Sequence, residues 1–146
     1  MELKLLGSDP SFSAVAVPSR ITRQPTKEKP LNGMRFAVKD IYHLEGVRTS
    51  FGSRSYYNTY GPQPETAEAV TKLLDLGAVV LGKLKLTQYG AWEEPVESRD
   101  YQAPWNPRAD GFQSPAGSSS GPACALAAYE WLDITLGSDS KLAHNF

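Results

Sequence analysis

The first sustained apolar pattern in the chain begins after Gly33. In Met34-Arg35-Phe36-Ala37-Val38-Lys39-Asp40-Ile41-Tyr42 the side chains alternate. Phe36, Val38, Asp40 and Tyr42 fall on one side, and Ala37, Lys39 and Ile41 on the other. A period of two with apolar residues on both sides predicts a short, largely buried strand that carries a lysine and an aspartate. Residues 43–64 are polar and rich in Gly, Ser and Tyr, the composition of a long loop. Helix signals start at Pro64-Glu65-Thr66: Ala67, Val70, Leu73 and Leu74 mark one helical face, and Gly77 supplies the stop. Ala78-Val79-Val80-Leu81 then reads as a buried strand ended by Gly82. Strand, helix, strand in this order suggests a crossover unit on a parallel sheet.

Further along, a short helix is expected over Leu86 to Ala91. Residues 93–116 are loop-like, with four prolines. The tract Gly117-Ser118-Ser119-Ser120-Gly121 leads into Pro122, a residue suited to the first helical position. An alanine-rich helix from Ala123 to Trp131 follows, and Ile134-Thr135-Leu136 is a last short strand. Ahead of the domain, residues 1–30 are punctuated by prolines and read as an irregular leader, with a short strand possible at Val15 and Val17. No repeats and no heptads are present. The expected fold class is α/β, a sheet with flanking helices.

Composition narrows the function classes. The chain has 146 residues, 40% hydrophobic and 21% charged, enough for one ordinary soluble domain and too apolar for intrinsic disorder. The net charge is −1. Its densest basic stretch, Arg20 to Lys29, is broken by prolines and a glutamate, so no nucleic-acid surface is expected. No apolar run approaches the ~20 residues of a membrane span. One cysteine, Cys124, excludes an intrachain disulfide and fits a reducing compartment. The N-terminus lacks a signal-peptide pattern, and the default expectation is a cytoplasmic protein.

Two features carry candidate chemistry. Lys39 is an ionisable group inside an apolar strand, which is costly unless the group is paired or neutralised. Burial can lower a lysine's pKa until it serves as a base. Alternatively, it is a strand-end lysine paired with Asp40 or reaching to solvent. The second feature is Ser114-Pro115-Ala116-Gly117-Ser118-Ser119-Ser120-Gly121, serines flanked by glycines at a helix entrance. It reads as a flexible linker or N-cap, as a phosphate cradle, or as a catalytic serine turn. No G-x-x-x-x-G-K-[ST] and no G-x-S-x-G is present. His43, His144 and Cys124 make neither a triad nor a zinc spacing. The tryptophans, Trp92, Trp105 and Trp131, are read as packing residues.

Taken in order, these pieces resemble the amidase signature family. Leu31 to Asp40 is similar to its "PL-x-G-x-x-x-x-V-K-D" strand. Glu65 to Lys83 is similar to its "A-x-x-V-x-x-L-x-x-x-G-A-x-x-L-G-K" helix–strand unit. Leu86-Thr87-Gln88-Tyr89-Gly90 resembles "N-x-x-E-F-A", and Trp105-Asn106-Pro107 to Gly121 resembles the approach to the serine-rich turn. The resemblance covers residues 31–140, and the wording of the serine turn is similar to fungal members. It implies a partial amidase-signature fold, a mixed sheet with flanking helices, incomplete C-terminally. It implies hydrolysis of carbon–nitrogen bonds in small carboxamides with no metal or cofactor. By resemblance, Lys39 is the base and Ser118, on a cis peptide, is the relay, with Ser119 in that role if the register shifts by one.

The family continues "G-[TS]-D-[TS]-G-G-S-I-R", whereas this chain reads Gly137-Ser138-Asp139-Ser140-Lys141-Leu142-Ala143. The nucleophile position falls on Ala143, and residues 141–146 form a tail without family character. The resemblance therefore implies a chain inactive alone. The alternatives are a non-catalytic fragment that associates through an incomplete sheet, or a truncated gene product.

Overall fold

The computed structural model describes residues 15–21, 23–91, 98–110 and 113–139. Its centre is a three-stranded sheet of β1 (Arg35–Lys39), β2 (Val79–Leu84) and β3 (Ile134–Leu136), in the order β2-β1-β3. Both pairings are parallel, so the sheet is parallel among the described residues rather than mixed. Parallel neighbours need crossover connections, which place helices on the sheet faces. Helix α1 (Arg54–Thr59) and helix α2 (Glu68–Asp75) lie between β1 and β2, and helix α3 (Ser120–Ala128) precedes β3.

The pleat of β1 sorts its side chains between two cores. Phe36 and Val38, both fully buried, pack with Val70 of α2, Leu44 and Ala78. Ala37, on the opposite face, packs with Ala125 of α3 and Leu132. β1 is thus covered on both sides, as its continuous apolar run predicted. Lys39 has the parity of Ala37, so the same alternation sends it to the α3 side.

Gly77 ends α2 as expected. Its φ is +96°, and a Cβ there would lie 2.9 Å from the Asn32 backbone, so both conformation and close approach require glycine. β2 continues through Gly82 to Leu84 instead of stopping at Leu81, because pairing with β1 runs on through Lys39↔Leu84. Helix α3 spans Ser120–Ala128, starting and ending earlier than Ala123–Trp131; Pro122 lies in its first turn but not at the first position. Between Leu86 and Ala91 only a 3-10 turn forms, Gln88–Gly90. Val15 and Val17 belong to no strand. Helix α1 is a correction to the loop expected over residues 43–64. Its six residues bury nothing and show no apolar period, but Ser53 caps it by accepting from the Tyr56 N–H.

Candidate functional site

Three segments meet at the C-terminal end of β1. The first is β1 itself, ending in Lys39, whose side chain is fully buried. The second is the serine turn. It is held against the continuation of β2, where the Thr87 N–H donates to the Ser118 carbonyl at 3.2 Å and the Gly121 N–H to the Lys85 carbonyl at 3.0 Å. Any Cβ at residue 121 would run into the Lys85 backbone, so glycine lets α3 begin this close to the strand. The third is the exit of β3. Val38 is paired with Leu136, which places the residues just after Leu136 beside Lys39. Tyr42 fastens this junction by donating its hydroxyl to the Gly137 carbonyl at 2.8 Å.

At the junction Lys39 Nζ donates to Ser118 Oγ at 2.6 Å and to Ser138 Oγ at 2.8 Å. The Gly117–Ser118 peptide bond is cis. Ser119, the serine considered for the same role, points elsewhere. Its hydroxyl donates to the Ser138 carbonyl at 3.0 Å and accepts from the Ser138 N–H at 3.2 Å. The serine turn is therefore tied to the β3 exit by one serine, while its neighbour faces the lysine. Helix capping does not account for this tract: Ser119, the N-cap of α3, makes no side-chain cap bond.

Burial pushes the Lys39 ammonium below its ordinary pKa, and the charge of Asp139 draws it part of the way back. A lysine so placed exchanges protons with the hydroxyls that touch it more readily than an exposed one. Its pairing with Asp40, the ordinary structural alternative, does not occur. Asp40 is bound to Lys83 of β2, with Nζ and Oδ1 2.5 Å apart. Lys83 and Ser138 were not assigned roles from sequence. The signal for Ser138 is topological: a strand adjacent to β1 must deliver its exit beside Lys39. The signal for Lys83 is a second lysine inside an otherwise apolar strand.

Ser140 and Ala143 lie outside the described residues, as do Trp92 and His144. His43 Nδ1 is 2.9 Å from Thr49 Oγ1, the hydroxyl that also accepts from Lys83. Cys124 is buried, and burial pushes its thiol up, away from a reactive thiolate. Among the described residues no group of three or more His, Cys, Asp and Glu is placed to hold a metal ion. Among them, too, no helix is long and apolar enough to cross a membrane.

Comparison with known proteins places this geometry in a family. The model of the family described as Amidase matches residues 11–140. Amidase 1 of Oryza sativa subsp. japonica is 38% identical over 116 residues, covering 80% of this chain and 26% of the relative. Amidase 1 of Arabidopsis thaliana is 34% identical over 137 residues, covering 92% of this chain and 32% of the relative. A solved structure of a vestigial protein complex, linked to the evolutionary origins of an s-triazine catabolic enzyme, aligns with a TM-score of 0.68 at 36% identity, covering 75% of this chain and 23% of that one. The chain thus spans only 26% and 32% of the length of these two curated relatives. Since the family match takes in both the buried lysine and the serine turn that meets it, the chain belongs to the amidase family.

Proposed function

We propose that this chain carries the base and proton-relay half of an amide-hydrolysing centre. The observation that supports it is the fully buried Lys39 ammonium, held 2.6 Å from the Ser118 hydroxyl and lowered in pKa by burial. In this reading neutral Lys39 takes the Ser118 proton while Ser118 takes that of an attacking hydroxyl. Reversing the relay delivers the proton to the leaving amine. The substrate class is a small carboxamide, and the relay needs no metal.

The reading extends to what this chain does alone. At residues 141–143 the sequence is Lys-Leu-Ala, which offers no hydroxyl where the family places its nucleophile, nor a glycine turn to present oxyanion-stabilising N–H groups. The 146-residue chain is therefore expected to release no ammonia or arylamine from carboxamide or anilide substrates above the buffer rate. Turnover that disappears in Lys39→Ala would overturn this. The expected compartment is the cytoplasm, on the grounds of the single cysteine.

A second reading, association through an incomplete sheet, is favoured by one region. β2 is an edge of the described sheet. Beside it a cleft of about 440 Å³ is lined by Leu84, Pro104, Trp105, Ala125 and Tyr129, with Trp105 67% exposed. Sheet edges and exposed apolar side chains favour pairing with another chain. A strictly monomeric elution at high concentration in size-exclusion chromatography would remove this reading.

A further inference from the structure

A second buried ammonium lies one strand away from Lys39. Lys83 of β2 stands opposite Val38. Its Nζ is 2.5 Å from Asp40 Oδ1 and donates to Thr49 Oγ1 at 2.7 Å. The other oxygen of Asp40 accepts from the Ser50 N–H at 3.0 Å and from the Ser50 hydroxyl. The pair is nearly withdrawn from solvent, with side-chain exposures of 12% for Lys83 and 14% for Asp40. Buried Thr49 and Ser50 close over it from the loop after β1.

Asp40 follows Lys39 directly in the chain. An uncompensated carboxylate near a lysine stabilises the ammonium, whereas a base must reach the neutral amine. The pleat of β1 turns Asp40 to the opposite face. Even so, in a poorly solvated interior a charge one residue away is still felt. We propose that Lys83 is a positioning residue for Lys39: by pairing with Asp40 it cancels the carboxylate adjacent to Lys39 and leaves the Lys39 amine to the hydroxyls of Ser118 and Ser138.

The inference rests on reading Lys39 as a base, and its geometric support is that Asp40 is in contact with Lys83 while Lys39 Nζ is held by Ser118 and Ser138. The carboxylate that draws Lys39 toward its charged form is Asp139, while Asp40 acts on Lys83. Among the described residues, the other ionisable groups around Lys39 are few. Asp139 follows β3, Lys83 comes from β2, and Asp40 and Tyr42 follow β1, with the Tyr42 hydroxyl engaged on Gly137. Helix α3 carries no acid or base in its sequence apart from the Cys124 thiol. Lys83 thus stands as the cation available to balance Asp40 among these groups.

The test is a titration of Lys39 itself, followed by NMR of the lysine ε-carbons in the 13C-lysine-labelled chain. Lys83→Met leaves Asp40 uncompensated and is expected to move the Lys39 midpoint up by about one pH unit. Lys83→Arg keeps the charge and is expected to leave it in place. Asp40→Asn leaves Lys83 uncompensated and is expected to move it down. A packing role alone would not give shifts of opposite sign. A folded Lys83→Met chain with an unmoved Lys39 midpoint overturns the proposal. If Lys83→Met does not fold, Asp40→Asn decides, with an unmoved or raised midpoint overturning it. Because the readout is one ammonium and not turnover, the result is separate from whether Lys39 acts as a base in hydrolysis.

Discussion

Lys39 and Lys83 lie on adjacent parallel strands, both largely removed from water, and burial lowers both ammonium groups. Their surroundings differ in one respect that sets their chemistry. Lys83 has a carboxylate in contact and a threonine hydroxyl beside it. Lys39 has two serine hydroxyls in contact, and the carboxylate whose charge reaches it is that of Asp139. A buried ion pair holds its ammonium charged, whereas a buried ammonium held only by neutral hydroxyls loses its proton more readily, and the resulting amine can accept one from a hydroxyl. On the proposed reading of Lys39, the contrast separates burial from base character, since burial lowers both ammonium groups. The partner atoms decide whether the desolvated group is pinned as a cation or left free to exchange.

That contrast can be broken most strongly on the Lys83 side. Lys83→Met leaves Asp40 buried without a counter-ion and is expected to cost about 3 kcal/mol of stability, read from urea unfolding. A cost under about 1 kcal/mol would mean that the pair is less buried in solution than its geometry implies. Thr49→Val removes the hydroxyl shared by Lys83 and His43. It is expected to cost about 1–2 kcal/mol in the same experiment, the range for leaving buried partners unsatisfied.

The Lys39 side is expected to respond with a smaller effect of opposite sign. Lys39→Met removes a buried ammonium whose direct contacts are two serine hydroxyls, so stability is expected to rise by up to about 1 kcal/mol. A loss as large as that of Lys83→Met would erase the distinction between the two sites. The smallest effect is the pH dependence of this gain. Burial holds Lys39 below the ordinary lysine value of 10.5, so the folded chain gives up this proton before the unfolded chain does. Between the folded value and 10.5 the unfolded state binds more protons, and wild-type stability rises with pH. The advantage of Lys39→Met is therefore full below the folded value and fades as the pH climbs toward 10.5. Urea midpoints of both chains measured across that window would show a constant difference if Lys39 titrated normally.

The elements best read in advance are those in which one signal dominates. α2 has an apolar face at Ala67, Val70, Leu73 and Leu74 and a glycine whose positive φ ends it, so its position is written locally. β1 and β3 are short apolar runs bounded by turns. Boundaries shifted where tertiary contact overrode local signals. β2 runs through Gly82 because β1 offers backbone partners there. α3 starts at Ser120 because the Lys85 carbonyl receives the Gly121 N–H. Helix α1 was missed because Arg54–Thr59 has no apolar stripe and, apart from Arg54, no strong helix former; only the Ser53 cap announced it.

For the candidate site, the sequence by itself determined which residues had unusual chemistry: a lysine inside an apolar strand, and serines between glycines at a helix entrance. The period of two along β1 also determined that Lys39 shares a face with Ala37 and not with Phe36 and Val38. The resemblance joined Lys39 to Ser118; the residues by themselves left the partners open. Asp40 stands next to Lys39 in the chain yet binds Lys83, and Ser118 and Ser138 reach Lys39 from 79 and 99 residues away. Alternation along a strand is a local property of backbone geometry, so it is legible in sequence. The strand order β2-β1-β3 is set by how the whole chain closes around its core. That order carried the exits of β2 and β3 to either side of Lys39 and Asp40, and so decided which lysine received the carboxylate and which the serines.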